Sequence, residues 1–299
     1  ENIGSVVGLC EGSISGCTSN VSLTVSSSFE PTEEAPRVAK NIGGVAGRIT
    51  GSLSDSSFSG GLSMENDASA IIDGWDNTIP TVQNVGGVVG LFGEDELDAA
   101  VRASGGIDGC ANSGTVYLSF TGEGGRDRFE QLRSSHPGCV GGIAGYSDGS
   151  ISNCSNTGEI RTSTLGDSST DGYGYDTTFS NGASQCGGIV GNLRAVVLED
   201  KYSVKLTPDN GSKDDVLTVK NCYNTGKVFA LASAGGIVGR AGTYTVITEC
   251  SNGNYLDNNG KTGVFVDPEQ GAVISTRWNK PFAGGIVGLT LGDVTFSYN

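Results

Sequence analysis

The sequence predicts an all-β fold: a parallel β-helix-like solenoid of about seven coils with long side insertions. Glycine supplies 49 of the 299 residues, which disfavours helices because each helical glycine costs about 1 kcal/mol relative to alanine. Apolar runs are short, rich in Val and Ile, and separated by Gly, Asn, Asp and Ser, as in short strands joined by turns. One glycine motif returns seven times along the chain. A β-sandwich of glycine-rich strands is the alternative, but it offers no reason for that repetition.

The first motif is the pentapeptide Gly-Gly-[Ile/Val]-[Ala/Val]-Gly, whose copies start 39 to 55 residues apart. Tandem repetition at such a period is typical of solenoids, in which a coil buries its apolar face only by stacking on its neighbours. Glycine pairs at these places allow either a positive φ or a close approach of backbones. The six pairs are Gly43 and Gly44, Gly86 and Gly87, Gly141 and Gly142, Gly187 and Gly188, Gly235 and Gly236, and Gly284 and Gly285.

A degenerate seventh copy, residues 4–8, opens the chain with Ser5 in place of the second glycine. The residue after each pair is β-branched in every copy, which predicts that this position forms one buried column through the stack. The predicted column consists of Val6, Val45, Val88, Ile143, Ile189, Ile237 and Ile286.

A second motif follows each glycine motif and is clearest at residues 151–160, Ile-Ser-Asn-Cys-Ser-Asn-Thr-Gly-Glu-Ile, and at residues 219–228. Its cysteine lies nine residues after the last glycine in the shortest copies, so longer copies carry insertions, around 94–104 and 194–217. Equivalent positions of a solenoid stack, which predicts an interior ladder of free thiols, with serine in two copies. The Asn two positions later predicts a second ladder at a turn. The cysteines of the ladder are Cys17, Cys110, Cys154, Cys222 and Cys250.

The remaining cysteines do not define a metal site. Cys139 and Cys186 each precede a glycine pair, offset by one residue, which leaves a disulfide between adjacent coils as an alternative to two free thiols. The chain has one histidine, His136, and no Cys-x-x-Cys pair, so a zinc site is not expected.

Together the two motifs resemble the GLUG motif, and the resemblance extends over essentially the whole chain apart from its insertions. The resemblance implies a β-helix-like stalk or adhesive region, as in large bacterial cell-surface proteins, adhesin-like proteins and the non-catalytic parts of some immunoglobulin A peptidases. It implies an extracellular location on a bacterial surface, with signal peptide and anchor outside this chain. We therefore expect residues 1–299 to form a single repeat domain, monomeric as a fragment of a longer surface protein. The motif carries no catalytic residues.

The net charge and the composition limit the classes of partner that this chain is expected to bind. The net charge of −15 argues against a nucleic-acid surface, which needs a cationic track, and no apolar run is long enough to span a bilayer. We expect a glycan or protein ligand on host or neighbouring cells, and no cofactor; calcium at the turns 209–211 and 257–260 is the alternative. Candidate ligand contacts are aromatic residues that could stack on sugar rings or, alternatively, cover the ends of the core: Trp75, Tyr173, Tyr175 and Trp278.

An enzyme is the other class to consider, because parallel β-helices also host polysaccharide lyases and glycoside hydrolases. Glycoside hydrolysis needs a pair of carboxylates about 5 to 9 Å apart. Acidic clusters occur only in the insertions, where acidic residues usually keep an exposed segment hydrated. They are Glu94, Asp95, Glu96 and Asp98; Asp167, Asp171 and Asp176; and Asp214 and Asp215.

Overall fold

The structure, a computed structural model, describes residues 1–28, 40–67, 83–93, 103–121, 138–164, 184–194, 196–200, 203–207, 215–230, 233–253, 273–275, 282–290, 292–295 and 297. Every regular element in these ranges is a β-strand. No helix long and apolar enough to cross a membrane occurs among the residues described.

The strands form seven successive coils, of which the first six each contribute five strands. Coils 1 and 2 contain β1 Asn2–Gly4, β2 Val7–Cys10, β3 Ile14–Ser15, β4 Thr18–Ser19, β5 Leu23–Ser28, β6 Lys40–Gly43, β7 Ala46–Ile49, β8 Leu53–Ser54, β9 Ser57–Phe58 and β10 Gly61–Asp67. Coils 3 and 4 contain β11 Gln83–Gly86, β12 Val89–Phe92, β13 Ile107–Asp108, β14 Ala111–Asn112, β15 Thr115–Thr121, β16 Gly138–Gly141, β17 Ala144–Ser147, β18 Ile151–Ser152, β19 Ser155–Asn156 and β20 Ile160–Thr164.

The last three coils follow the same order. Coil 5 adds a two-stranded insertion, β23 and β24, and coil 7 is described over three strands. Their strands are β21 Ser184–Gly187, β22 Val190–Leu193, β23 Val196–Asp200, β24 Ser203–Thr207, β25 Leu217–Lys220, β26 Tyr223–Asn224, β27 Val228–Ala230, β28 Ser233–Gly235, β29 Val238–Ala241, β30 Thr245–Thr248, β31 Ser251–Asn252, β32 Val273–Ser275, β33 Phe282–Gly284, β34 Val287–Thr290 and β35 Asp293–Thr295.

Strands at the same place in each coil pair in parallel, so that five parallel sheets run along the stack. We number them sheet 1 to sheet 5 in the order in which a coil passes through them. Sheet 1, for example, runs β1-β6-β11-β16-β21-β28-β33, and sheet 5 runs β32-β27-β20-β15-β10-β5. The register is the one the motifs predict, since Gly43 pairs with Gly86 and Asn112 with Asn156. The predicted solenoid is confirmed.

The insertions occur at particular junctions between strands in the chain. Segments of two residues (231–232) to nineteen residues (165–183) connect sheet 5 of one coil to sheet 1 of the next. The two insertions predicted from motif spacing both lie between sheet 2 and sheet 3, after β12 and after β22. In coil 5 that insertion contains the antiparallel hairpin β23–β24. Variable length is therefore confined to the connections, and the coil itself stays constant.

The core consists of columns of inward side chains, one or two for each sheet. Alternation along the short strands sends every second residue inward, and stacking brings equivalent residues of successive coils into contact. The column of sheet 3, for example, is buried in coils 1 to 6, whereas its member in coil 7, Val294, is 42% exposed. Its members in the first six coils are Ile14, Leu53, Ile107, Ile151, Val219 and Ile247.

The predicted column of β-branched motif residues is buried only in the five middle coils. Val45, Val88, Ile143, Ile189 and Ile237 have no exposed surface, whereas Val6 is 52% exposed and Ile286 is partly buried. The prediction of full burial was therefore wrong for coils 1 and 7, because within this chain each has a stacking neighbour on one side only. The residues lie at the bend between sheets 1 and 2, where each amide from coil 1 to coil 6 donates to the equivalent carbonyl of the next coil.

Candidate functional site

The glycine motif is a site of backbone contact, and coil 4 illustrates it. A Cβ on Gly141 would collide with the carbonyl oxygen of Ala144, across the bend, and one on Gly145 would lie 2.5 Å from the amide nitrogen of Val85 in the preceding coil. Sheets 1 and 2 therefore approach each other backbone to backbone. None of the motif glycines is among the residues with positive φ. Of the two roles the sequence left open, the close approach is the correct one.

In coils 3 to 6 the second glycine of the pair packs against the asparagine of the second motif in the same coil. A Cβ on Gly142 would lie 2.5 Å from Cγ of Asn156, and one on Gly87 would lie 2.6 Å from Cγ of Asn112. The same contact joins Gly188 to Asn224. The two sequence motifs are thus two sides of one packing contact, which fixes sheet 4 against the bend.

The asparagines form the predicted ladder through the core. The Nδ2 atom of Asn112 donates to Oδ1 of Asn156 at 2.7 Å, and Asn156 donates in the same way to Asn224 and Asn224 to Asn252. Asn156 also donates to the carbonyl of Gly158 at 2.9 Å. All four side chains are at most 2% exposed. Their polar groups are therefore satisfied along the stack, as buried amides require.

Coils 1 and 2 depart from the motif: coil 1 replaces both members of this contact, and coil 2 replaces only the asparagine. In coil 1, Ser5 stands for the glycine and Ser19 for the asparagine, and their hydroxyl groups form a hydrogen bond of 2.6 Å. In coil 2, Phe58 takes the place of the asparagine, and its ring packs against Gly44 and Gly114. The contact between the bend and sheet 4 is therefore kept in both coils, by a hydrogen bond between two serines in coil 1 and by an aromatic ring in coil 2.

The cysteine ladder lies beside the asparagine ladder, two residues earlier in each coil. Cys110, Cys154, Cys222 and Cys250 are at most 1% exposed, Ser56 is fully buried, and Cys17 in coil 1 is partly buried. In all seven coils the side chain at this position donates to the backbone carbonyl two residues earlier. Serine and cysteine are interchangeable here because both supply this hydrogen bond.

The thiols of neighbouring coils influence one another. Hydrogen bonds with Cys110 and Cys222, together with burial, raise the pKa of the Cys154 thiol. Hydrogen bonding with Cys222 and burial likewise raise the pKa of Cys250. The hydrogen bonds from Cys154 and Cys250 lower the pKa of Cys222, an effect that burial opposes. The pKa values of neighbouring thiols are therefore shifted in opposite directions along the stack.

The other two buried cysteines do not face each other. Cys139 pairs in register with Gln185, and Cys186 pairs with Val140, so the offset of one residue points the two side chains to opposite faces of sheet 1. Cys139 donates weakly to Gln185 and Cys186 to Thr162, each at 3.9 Å, and burial raises the pKa of Cys186 to about 12. All eight cysteines are free, and the disulfide considered from the sequence is not formed.

We expect the buried ladder thiols, Cys110, Cys154, Cys222 and Cys250, to be protected from a water-soluble disulfide reagent in the native protein. Cys10 and Cys17, partly exposed in coil 1, should be labelled first. The buried thiols Cys154 and Cys222 should react about a hundredfold more slowly, because the reagent reaches them only when the coils open. Mass spectrometry of labelled peptides measures the order. A C10S/C17S double variant serves as control and should lose the fast phase alone; fast labelling of Cys154 or Cys222 would contradict the buried ladder.

The outer face of sheet 5 carries an aromatic and cationic patch. Tyr117, Arg161 and Phe229 occupy the same outward position in coils 3, 4 and 5 and are each partly exposed. The guanidinium carbon of Arg161 lies 5.3 Å from the centre of the Phe229 ring. A row of exposed residues borders them, since Glu159 lies beside Thr115 on one side and Lys227 on the other. We call this set of six residues the sheet 5 patch.

A shallow, open depression lies on this patch, lined by Thr115, Val116, Tyr117, Glu159 and Arg161. Sequence reasoning missed it because the aromatic and basic residues are isolated in the chain. The signal was present, however: aligning the second motif of coils 3 to 5 places Tyr, Arg and Phe directly after its last apolar residue.

The ligand contacts expected from the sequence, Trp75, Tyr173, Tyr175 and Trp278, lie outside the described residues, as do both candidate calcium turns. The described residues contain no group of three or more His, Cys, Asp or Glu side chains suited to a metal ion.

Among the carboxylates considered for catalysis, Asp215 is described, and it closes the base of the second insertion. Arg194 is 4% exposed, and its Nη1 lies 3.1 Å from the Asp215 carboxylate. Its Nε donates to Asp148 of the preceding coil at 2.6 Å. Because Arg194 precedes the insertion and Asp215 follows it, their ion pair holds the two ends of the insertion together.

The fold and these ladders define the class: a parallel β-solenoid built from a repeated two-motif coil. Residues 136–161, which span coil 4 as far as the beginning of its last strand, match the family model described as the GLUG motif. The match confirms the resemblance over these residues, and the matched unit corresponds to most of one coil. A search of curated proteins and a search of solved structures each found no match.

Proposed function

We propose that this chain is a non-catalytic, adhesin-like stalk region of a bacterial cell-surface protein, which presents binding surfaces to glycans or proteins of host or neighbouring cells. The observation that carries the proposal is the division of the molecule into a constant seven-coil scaffold and insertions of variable length at a few junctions. Insertions at fixed places on a rigid frame are a common arrangement for binding.

The charge of the chain supports an exposed, extracellular location. A net charge of −15 keeps a long surface solvated and discourages association between copies, so that the chain acts as a monomer. Weak binding per site is sufficient in this setting, because many copies on one cell strengthen attachment.

The proposed role requires neither a cofactor nor turnover. The side chains shared by successive coils are Gly, Asn, Cys and Ser, which the structure uses for packing and hydrogen bonding. Calcium bound at the turns 209–211 or 257–260 would be an addition to this role, and isothermal titration with calcium tests it.

A glycan array probed with the purified chain, with and without calcium, tests the proposal, together with incubation with pectin, uronate polymers and immunoglobulin A. We expect retention of a limited group of glycans and no release of cleavage products. Cleavage by this chain would instead favour a lyase or hydrolase with carboxylates in the insertions, and absence of all glycan and cell binding would leave a plain stalk.

A further inference from the structure

The sheet 5 patch combines two features that sugars recognise. Tyr117 and Phe229 place two partly exposed aromatic rings on the surface, and between them lies Arg161, whose guanidinium is over one face of the Phe229 ring, with Glu159 and Lys227 at the border. Rings stack on the apolar faces of pyranoses, and the charged groups bond to hydroxyl or carboxylate oxygens. Strands of a sheet lie about 4.8 Å apart, so the two rings, two strands apart, can underlie two sugars of one chain with a third sugar between them above Arg161.

The charges of the patch point to an acidic sugar. Among the six described residues of the patch, Arg161 and Lys227 carry positive charges and Glu159 carries the one carboxylate, in a chain whose net charge is −15. A guanidinium binds a carboxylate through paired, charge-assisted hydrogen bonds, whereas a neutral sugar would use neither positive charge. Contact of Arg161 with the Phe229 ring helps to orient the guanidinium, and such pre-organisation lowers the entropy cost of binding.

We propose that the sheet 5 patch binds a uronate-containing oligosaccharide, with pyranose faces on Tyr117 and Phe229 and a carboxylate at Arg161 and Lys227. This inference rests on the proposed function and names its ligand class. The site lies on strands rather than on insertions, so its geometry is set by the stacking of coils 3, 4 and 5. Binding should weaken as salt rises, because exposed charge pairs are screened.

The test is titration of the whole chain with oligogalacturonate and with a neutral oligosaccharide of the same length, by calorimetry or NMR. We expect the acidic ligand to bind at least about tenfold more tightly than the neutral one. Tyr117→Ala and Phe229→Ala should each weaken binding of the acidic ligand about tenfold. Arg161→Gln should remove most of the preference for the acidic ligand. Because these three side chains are partly exposed and point outward, the variants should keep the wild-type melting temperature.

Two exposed residues on other faces supply matched controls. Tyr223 is 48% exposed on sheet 4, and the Lys220 side chain is 52% exposed on sheet 3. Tyr223→Ala and Lys220→Gln should leave the affinity unchanged. An equal loss in the controls, or a preference for the neutral ligand, would overturn the assignment.

A further variant separates this inference from the proposed function. It replaces the aromatic residues of the insertions, Trp75, Tyr173, Tyr175 and Trp278, by alanine. If that variant loses glycan binding while Tyr117→Ala and Arg161→Gln keep it, the chain is a glycan binder and the sheet 5 patch is not its site. If wild-type chain binds no glycan in the array or the titration, both the patch and the glycan-binding function fail.

Discussion

Replacing Gly142 with alanine should lower the free energy of unfolding of the solenoid by more than about 4 kcal/mol. Single substitutions cause a loss of this size only when they disrupt packing severely. The added Cβ would collide with the carbonyl oxygen of Gly188 in the next coil and approach Cγ of Asn156 to 2.5 Å. Neither neighbour can yield, because the first is backbone and the second is held in the asparagine ladder by hydrogen bonds on both sides. Urea unfolding followed by circular dichroism measures the change, and failure to fold is the extreme form of the same result.

Gly12 provides the control for this experiment. It is exposed, it is not among the positive-φ residues, and a Cβ added there would meet nothing within 4 Å. Gly12→Ala should therefore leave stability unchanged or raise it slightly, because alanine reduces the freedom of the unfolded chain. Equal stability of the Gly142→Ala and Gly12→Ala variants would refute the role assigned to the second glycine.

Replacing Asn156 with alanine should cost about 3 kcal/mol, because buried partners lose their hydrogen bonds. The Oδ1 atom of Asn224 and the carbonyl of Gly158 lose a donor, and Nδ2 of Asn112 loses an acceptor. Asn156→Asp should be worse near neutral pH, since a carboxylate brings a buried charge and no donor. Burial would raise the pKa of the introduced aspartate in the folded state above its value in the unfolded chain. This variant should therefore regain stability as the pH falls towards the pKa of an unfolded aspartate.

Asn153 is the matched control, three residues earlier in the same coil. It is exposed, has a positive φ of 54°, and makes its hydrogen bonds at the surface. Asn153→Gly should change the free energy of unfolding by less than about 0.5 kcal/mol, because glycine accepts this backbone conformation. If Asn156→Ala were as mild as Asn153→Gly, or if Asn156→Asp lost stability on acidification, the ladder would not be the structural element described.

Most of the fold could be predicted from the sequence because the coil is repeated. A single short strand is difficult to predict, but a motif that occurs seven times identifies equivalent positions in seven coils. The parallel register, the thiol ladder and the asparagine ladder were therefore predicted from spacing alone. The insertions after β12 and β22 were predicted for the same reason, since a constant minimum spacing shows where residues have been added.

The burial of the motif residues in the end coils could not be predicted from the repeat. Val6 carries the same motif as Val45, yet it is 52% exposed while Val45 is fully buried. Identical residues at equivalent positions therefore differ, because burial depends on how many coils stack against a residue and not on the residue itself.

The sequence by itself determined the repeated coil, its strands and the residues that stack in columns, because each of these follows from a local pattern and its period. Tertiary structure alone decided that Gly142 meets Asn156 and that Ser5 and Ser19 compensate for each other. These contacts join residues separated by connections of variable length. Only the path of the chain around each coil brings them together, and a linear spacing does not record that path.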